Sequence, residues 1–122
     1  MGNGLDDDVE MGAVINAGNK AKIEGLIEKG VSSGAKLLVD GRNPLIPGYE
    51  QGNFIHPTIL EDVNPLSEIA NTEIFGPVLS LIHVNNIDEA ISLVNNSPFG
   101  KMACLITASA PAARKFRYEA ET

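Results

Sequence analysis

Glu73-Ile74-Phe75-Gly76-Pro77-Val78 puts a carboxylate and an aromatic ring two positions apart, where a polar turn gives way to the apolar run Val78-Leu79-Ser80-Leu81-Ile82-His83-Val84. A carboxylate can accept from two hydroxyl donors at once, and a ring offers a flat apolar face. The mouth of a buried strand is a usual place for a bound nucleotide in an α/β protein. Glu73 therefore reads either as a ligand-facing acid or as an exposed acid solvated at a strand entrance. The Phe75 ring can serve the core, a ligand, or both. Gly76 and Pro77 shape the backbone, the glycine permitting the turn and the proline fixing it.

The other reactive residue types carry less. Cys104 is the one cysteine and sits inside the apolar stretch Met102–Ile106, with no histidine or general base near it in sequence. A reactive thiolate needs exposure and positive surroundings, so Cys104 reads as a small buried hydrophobe and no catalytic residue is assigned. His56 and His83 fall in different segments without a third ligand, so no metal site is expected. Asp6, Asp7, Asp8 and Glu10 lack the alternating spacing and the glycine of a calcium loop and read as solvated.

Charge and composition narrow the partners. The net charge is −7, and the only basic cluster, Arg114-Lys115-Arg117, reads as a solvated helix face. Nucleic acid is not expected, because phosphate binding needs clustered cations. No apolar run approaches membrane-spanning length, so no membrane partner is expected either. Acids stand where a basic, apolar leader would be, which predicts no signal peptide. A single cysteine cannot form an intramolecular disulfide, which fits a reducing, cytoplasmic setting.

The elements that must position Glu73 and Phe75 follow from periodicity. The 122 residues, 43% hydrophobic and 20% charged, fit one domain or part of one. The spacing of Ile23, Leu26, Ile27 and Val31 predicts a helix over 17–33, capped by Asn16 and stopped at Gly34, with Gly25 and Gly30 weakening it. Lys36–Val39 reads as a strand and 43–52 as a loop. Residues 53–63 alternate in part, but Pro57 makes them an edge strand or bent ribbon. Leu66–Ala70 reads as one helical turn. Val78–Val84 reads as a strand buried on both faces. Asn86 caps a helix with Glu89 in capping-box position and Ile87, Ala90, Ile91 and Val94 inward. Met102–Thr107 reads as a strand. Ser109 caps a last helix, with Pro111 in its first turn and Ala113, Phe116 and Ala120 inward. This order predicts α/β, with helices covering a sheet.

Four landmarks then stand in one order: Met11-Gly12-Ala13-Val14-Ile15, Gly52-x-Phe54-x-x-Pro57-Thr58, Glu73-Ile74-Phe75-Gly76-Pro77-Val78, and Asn95-Asn96-Ser97-Pro98-Phe99-Gly100. Together they resemble the NAD(P)-dependent aldehyde dehydrogenase superfamily. Gly48-Tyr49-Glu50-x-Gly52-Asn53-Phe54 and Ala112-Ala113-Arg114-Lys115-Phe116 are similar to its CoA-acylating methylmalonate-semialdehyde branch. Thr72 departs from the family, which usually has a second acid there, and Lys101-Met102 from the branch, which favours Asn-Gly.

The resemblance implies a three-layer αβα catalytic domain of which 1–122 is a single part. It implies that the dinucleotide-binding domain and the nucleophilic cysteine lie elsewhere in a longer chain, and that the protein is a homo-oligomer. It further implies NAD as cofactor, CoA as a possible co-substrate, and a small-molecule aldehyde as partner. In the family a cysteine thiolate attacks the aldehyde, hydride passes to NAD, and the thioester goes to CoA or water. Glu73 would then accept hydrogen bonds from the nicotinamide-side ribose, and Phe75 would pack beside the nicotinamide. The isolated chain is expected to be inactive. The alternative expectation is a non-catalytic module that self-associates or binds a nucleotide.

Overall fold

In the computed structural model, which describes residues 1–121, Asn16 starts the first helix as its sequence predicts. Its Oδ1 accepts from the Asn19 amide at 2.8 Å, and α1 runs Ala17–Ser32. The stop is a Schellman motif: Ala35 N donates to Gly30 O (3.1 Å) and Gly34 N to Val31 O (2.9 Å). Gly34 sits at φ +102 in open space, so conformation rather than crowding calls for glycine there.

Contacts group the chain into two compact units, Met1–Ile82 and His83–Thr122, described in turn. In the first, α1 buries Ile23, Leu26, Ile27 and Gly30. The predicted stripe fails at Val31, which is exposed. Gly30 takes the contact instead: a Cβ there would lie 3.2 Å from Ile69 Cδ1 and 3.3 Å from Leu60 Cδ1. The glycine that weakens the helix is what lets it seat closely on the sheet.

That sheet has three strands, β1 (Lys36–Val39), β2 (Thr58–Glu61) and β3 (Val78–Ser80), in the order β1-β2-β3. β1 and β2 are antiparallel, pairing Leu37 with Leu60 and Val39 with Ile59 across an irregularity between Leu37 and Val39. β2 and β3 are parallel, pairing Thr58 with Val78 and Ile59 with Leu79. The 53–63 segment was expected at an edge, yet β2 is central. Pro57 falls one residue before the strand, so its missing N–H costs the ladder nothing. β3 is also shorter than 78–84, although Leu81 N still donates to Leu60 O at 2.8 Å. The expectation of burial on both faces is corrected as well: Leu79 is 54% exposed, because α1 packs on only one face of this unit's sheet.

Two side-chain clusters form the core of this unit, Ile23, Ile27 and Ile55 in one and Leu26, Ala35, Leu60, Val63 and Ile69 in the other. Thr58 is the buried polar residue, and its Oγ1 accepts from Gly41 N at 3.0 Å. Gly41 O in turn accepts from His56 N at 2.8 Å. Residues 66–70 form successive turns rather than helix, since Asn64 Oδ1 captures Leu66 N and Asn71 Nδ2 captures Pro65 O.

The second unit holds α2 (Ile87–Asn96) and α3 (Ala110–Glu119). Glu89 N donates to Asn86 Oδ1 at 3.0 Å, while the Glu89 carboxylate reaches back to Asn85 N at 2.9 Å. That is a capping box displaced by one residue. Ile91 is buried, with Ile87, Ala90 and Val94 half-buried on the same stripe, as read from the sequence. In α3, Ser109 Oγ caps Ala112 N at 3.3 Å. Phe116 and Ala120 are half-buried, but Ala113 is exposed and Ala112 turns inward in its place. Asn95 clamps the two helix ends, donating to Glu119 O (2.8 Å) and accepting from Glu121 N (2.9 Å). The predicted strand at Met102–Thr107 is not formed, because no described strand pairs with it.

Two outcomes follow from these contacts. A Cβ on Gly41 would overlap the His56 carbonyl, a backbone group that cannot swing away. Gly41→Ala should cost about 2–3 kcal/mol in urea unfolding. Lys115 Nζ binds Asp88 Oδ1 at 2.7 Å and Glu119 Oε2 at 3.0 Å, and the Asp88 hydrogen bond first, then that of Glu119, raises its pKa above 10.5. A raised folded pKa gives stability that is complete below the unfolded value and lost as pH rises through the folded one. The melting-temperature advantage of wild type over Lys115→Met should therefore be constant near neutral pH and shrink in strong alkali.

Candidate functional site

Residues 73–77 join the turns after β2 to the start of β3, and each is held differently. Ile74 is packed against both core clusters. Its neighbours Glu73 and Phe75 are exposed, so inward and outward residues alternate. Pro77 bridges a turn in which Val78 N donates to Gly76 O at 2.8 Å, a geometry its fixed φ suits. Pro77 O accepts from Thr58 N at 2.9 Å, which ties the loop to the central strand.

The first helix grips the loop from the other side. Lys22 Nζ donates to Glu73 O at 2.9 Å, and Asn19 Nδ2 donates to Phe75 O at 3.3 Å. Ile23 lies over Gly76, where an added Cβ would stand 2.5 Å from Ile23 Cδ1. The sequence assigned the turn's conformational freedom to Gly76. The structure moves it by one residue: Phe75 is the left-handed residue, at φ +57. Gly76 is required for closeness, to let the helix approach. For a non-glycine residue the left-handed region costs about 1–2 kcal/mol.

Phe75 is 74% exposed, so its ring lies outside the core formed by the described residues. The Glu73 carboxylate is exposed and makes no hydrogen bond or ion pair with other described residues. An acid and a ring thus leave one loop two residues apart, both available to a ligand. Elsewhere in this unit, Asp40 is held below the usual carboxylate range by its two-pronged hydrogen bond with Arg42, at 2.9 and 2.7 Å.

The remaining candidates do not join them. Cys104 is exposed, not buried as expected, because the stretch around it stays outside any sheet. Met102 and Ile106 beside it are exposed too. His56 and His83 belong to different units, and the described residues contain no group of three or more His, Cys, Asp or Glu that could hold a metal. No helix is long and apolar enough to cross a membrane. Sequence reasoning missed Asn19 and Lys22. The available signal was their spacing: polar residues on the first turns of an amphipathic helix, beside its first buried isoleucine.

The unit is thus mixed α/β, with an exposed acid and an exposed ring on the loop that enters its third strand. The chain belongs to the aldehyde dehydrogenase family, whose model matches residues 1–122. It is 49% identical over 118 residues to the mitochondrial acylating methylmalonate-semialdehyde dehydrogenase of Arabidopsis thaliana, covering 97% of this chain and 19% of that protein. It is also 49% identical to a malonate-semialdehyde dehydrogenase of Listeria monocytogenes serovar 1/2a, covering 96% of this chain and 23% of that one. The crystal structure of methylmalonate-semialdehyde dehydrogenase from Oceanimonas doudoroffii superposes with a TM-score of 0.89 at 33% identity, over 94% of this chain and 24% of that one. Betaine aldehyde dehydrogenase from Staphylococcus aureus in complex with NAD+ superposes at 0.88 with 30% identity, over 98% and 24%. The chain therefore spans about a fifth of the length of the curated relatives it matches.

Substitutions should separate conformation from closeness. Phe75→Gly should stabilise the chain by about 1 kcal/mol, since it relieves a left-handed residue and uncovers no core. Gly76→Ala should destabilise it by about 1–3 kcal/mol through the contact with Ile23. Urea titrations of the two variants check both signs.

Proposed function

We propose that this chain is one part of the catalytic domain of an NAD(P)-dependent aldehyde dehydrogenase. The reaction is oxidation of an aldehyde, most fittingly methylmalonate or malonate semialdehyde, to the acyl-CoA or the acid. The relatives named for those two semialdehydes support the substrate class, and the NAD+ complex of a structural neighbour supports the cofactor. The observation that carries the reading is the exposed Glu73–Phe75 pair on a loop fixed between helix and sheet.

The pair suits a nicotinamide nucleotide. A free carboxylate can accept from both hydroxyls of a ribose, which fixes the sugar and so orients the base attached to it. An exposed ring held off the core offers a face for a nicotinamide. When bound, NAD supplies the hydride acceptor. The chain's own contribution is to bind and orient it. CoA, where it serves as co-substrate, would be met by segments other than these. The reaction's nucleophile is not assigned to Cys104, and the 122 residues alone are inactive. A cytoplasmic or, as in the Arabidopsis relative, a mitochondrial location fits this reading.

A second reading rests on one feature of the sheet. Val39, Ile59 and Leu79 pair across all three strands, and Val39 and Leu79 are 44% and 54% exposed. An apolar row of this kind favours self-association, whether as a free-standing module or as a homo-oligomer.

Incubated with NAD, CoA and malonate semialdehyde, the isolated chain should produce no NADH. Replacing the matching segment of the Listeria relative with this chain should give an active dehydrogenase, and Glu73→Gln in that chimera should lower kcat by about 10²-fold. NADH formed by the chain alone, or a folded chimera indifferent to Glu73→Gln, would reject the reading. Sedimentation that depends on concentration, with no activity in the chimera, would favour the self-associating module.

A further inference from the structure

Asn19, half-buried, and Lys22, exposed, stand one helical turn apart on α1. Each spends its side chain on a carbonyl of the loop, Lys22 on Glu73 O at 2.9 Å and Asn19 on Phe75 O at 3.3 Å. Ile23, next in the helix, closes over Gly76. One edge of one helix thus holds Glu73, Phe75 and Gly76. Among those four, Phe75 is the one in a conformation its side chain does not favour, at φ +57. A strained non-glycine residue persists where its surroundings over-determine it.

The two hydrogen bonds act where that determination is needed. A carbonyl oxygen moves with its peptide plane, so holding Phe75 O fixes the plane that follows Phe75. Holding Glu73 O fixes the plane that follows Glu73. We propose that Asn19 and Lys22 are positioning residues: by holding these two carbonyls they keep Phe75 left-handed, and so set the direction in which the ring and the Glu73 carboxylate leave the backbone. The importance of that direction for cofactor binding rests on the NAD-facing reading given above. Neither residue is catalytic, and neither is asked to touch the substrate. Surface hydrogen bonds of this kind contribute little to global stability, so their effect should be local.

The test uses the 122-residue chain labelled with nitrogen-15 and carbon-13. In Asn19→Ala and in Lys22→Met, the three-bond HN–Hα coupling and Cα shift of Phe75 should leave their left-handed values, while the melting temperature stays that of wild type. Asn19→Gln and Lys22→Arg, which keep a donor, should restore them. A merely structural role would move the melting temperature and leave no selective effect at Phe75. Unchanged Phe75 couplings in both removal variants would overturn the proposal, and because Lys22 is exposed and Asn19 only half-buried, either variant can report if the other fails to fold. The Listeria chimera separates the underlying reading. A several-fold rise in its KM for NAD with Asn19→Ala or Lys22→Met supports both ideas. Phe75 couplings that move as expected in the chain, beside an active chimera indifferent to Glu73→Gln, support the positioning role and reject the NAD-facing assignment.

Discussion

The seating of Ile23 on Gly76 is the contact on which the rest of the first unit depends. Ile23 is fully buried, and the glycine beneath it leaves no room for another carbon. Once α1 lies that close, its neighbouring polar residues reach the loop carbonyls, and its later turn seats Gly30 on Leu60 and Ile69. Two glycines in different elements therefore set one distance, that between helix and sheet. Dispersion falls off steeply with a small gap, so this distance decides how much of the isoleucine-rich core is realised.

Polar groups inside the unit answer to the same closeness. Thr58 is buried at the start of the central strand, and its hydroxyl is matched by the Gly41 amide. The Gly41 carbonyl is matched by His56. An unpartnered hydroxyl there would carry the desolvation cost of a buried polar group. The chain after β1 is thereby stitched to the chain before β2, which fixes where β2 begins and so the register that β3 must follow.

Much of this was legible in the residues, and the failures have physical causes. Helix boundaries came through because Asn16, Gly34, Asn86 and Ser109 are local signals that act within one turn. The exposed placement of Glu73 at a strand entrance was legible for the same reason. Strands are less legible, since a strand exists only by pairing. Met102–Thr107 has the composition without a described partner, and β2 became central because Pro57 stops one residue short. The left-handed Phe75 could not be read at all. Sequence preference points to the adjacent glycine, and only packing against Ile23 shows that Gly76 is occupied with another task. Family membership was carried by four spaced motifs, which survive such local errors.

β2 and β3 run parallel, and the chain between them, residues 62–77, returns without a helix. Parallel neighbours normally need a helical crossover. Here successive turns and the 73–77 loop make that return. The loop that carries Glu73 and Phe75 is thus also the closing segment of a ladder between residues far apart in the chain. Loop-closure entropy must be overcome before such a ladder forms. The consequence is kinetic: the loop cannot be assembled as a late ornament on a finished scaffold, and a nascent chain acquires the left-handed turn at Phe75 in the same event that closes its sheet.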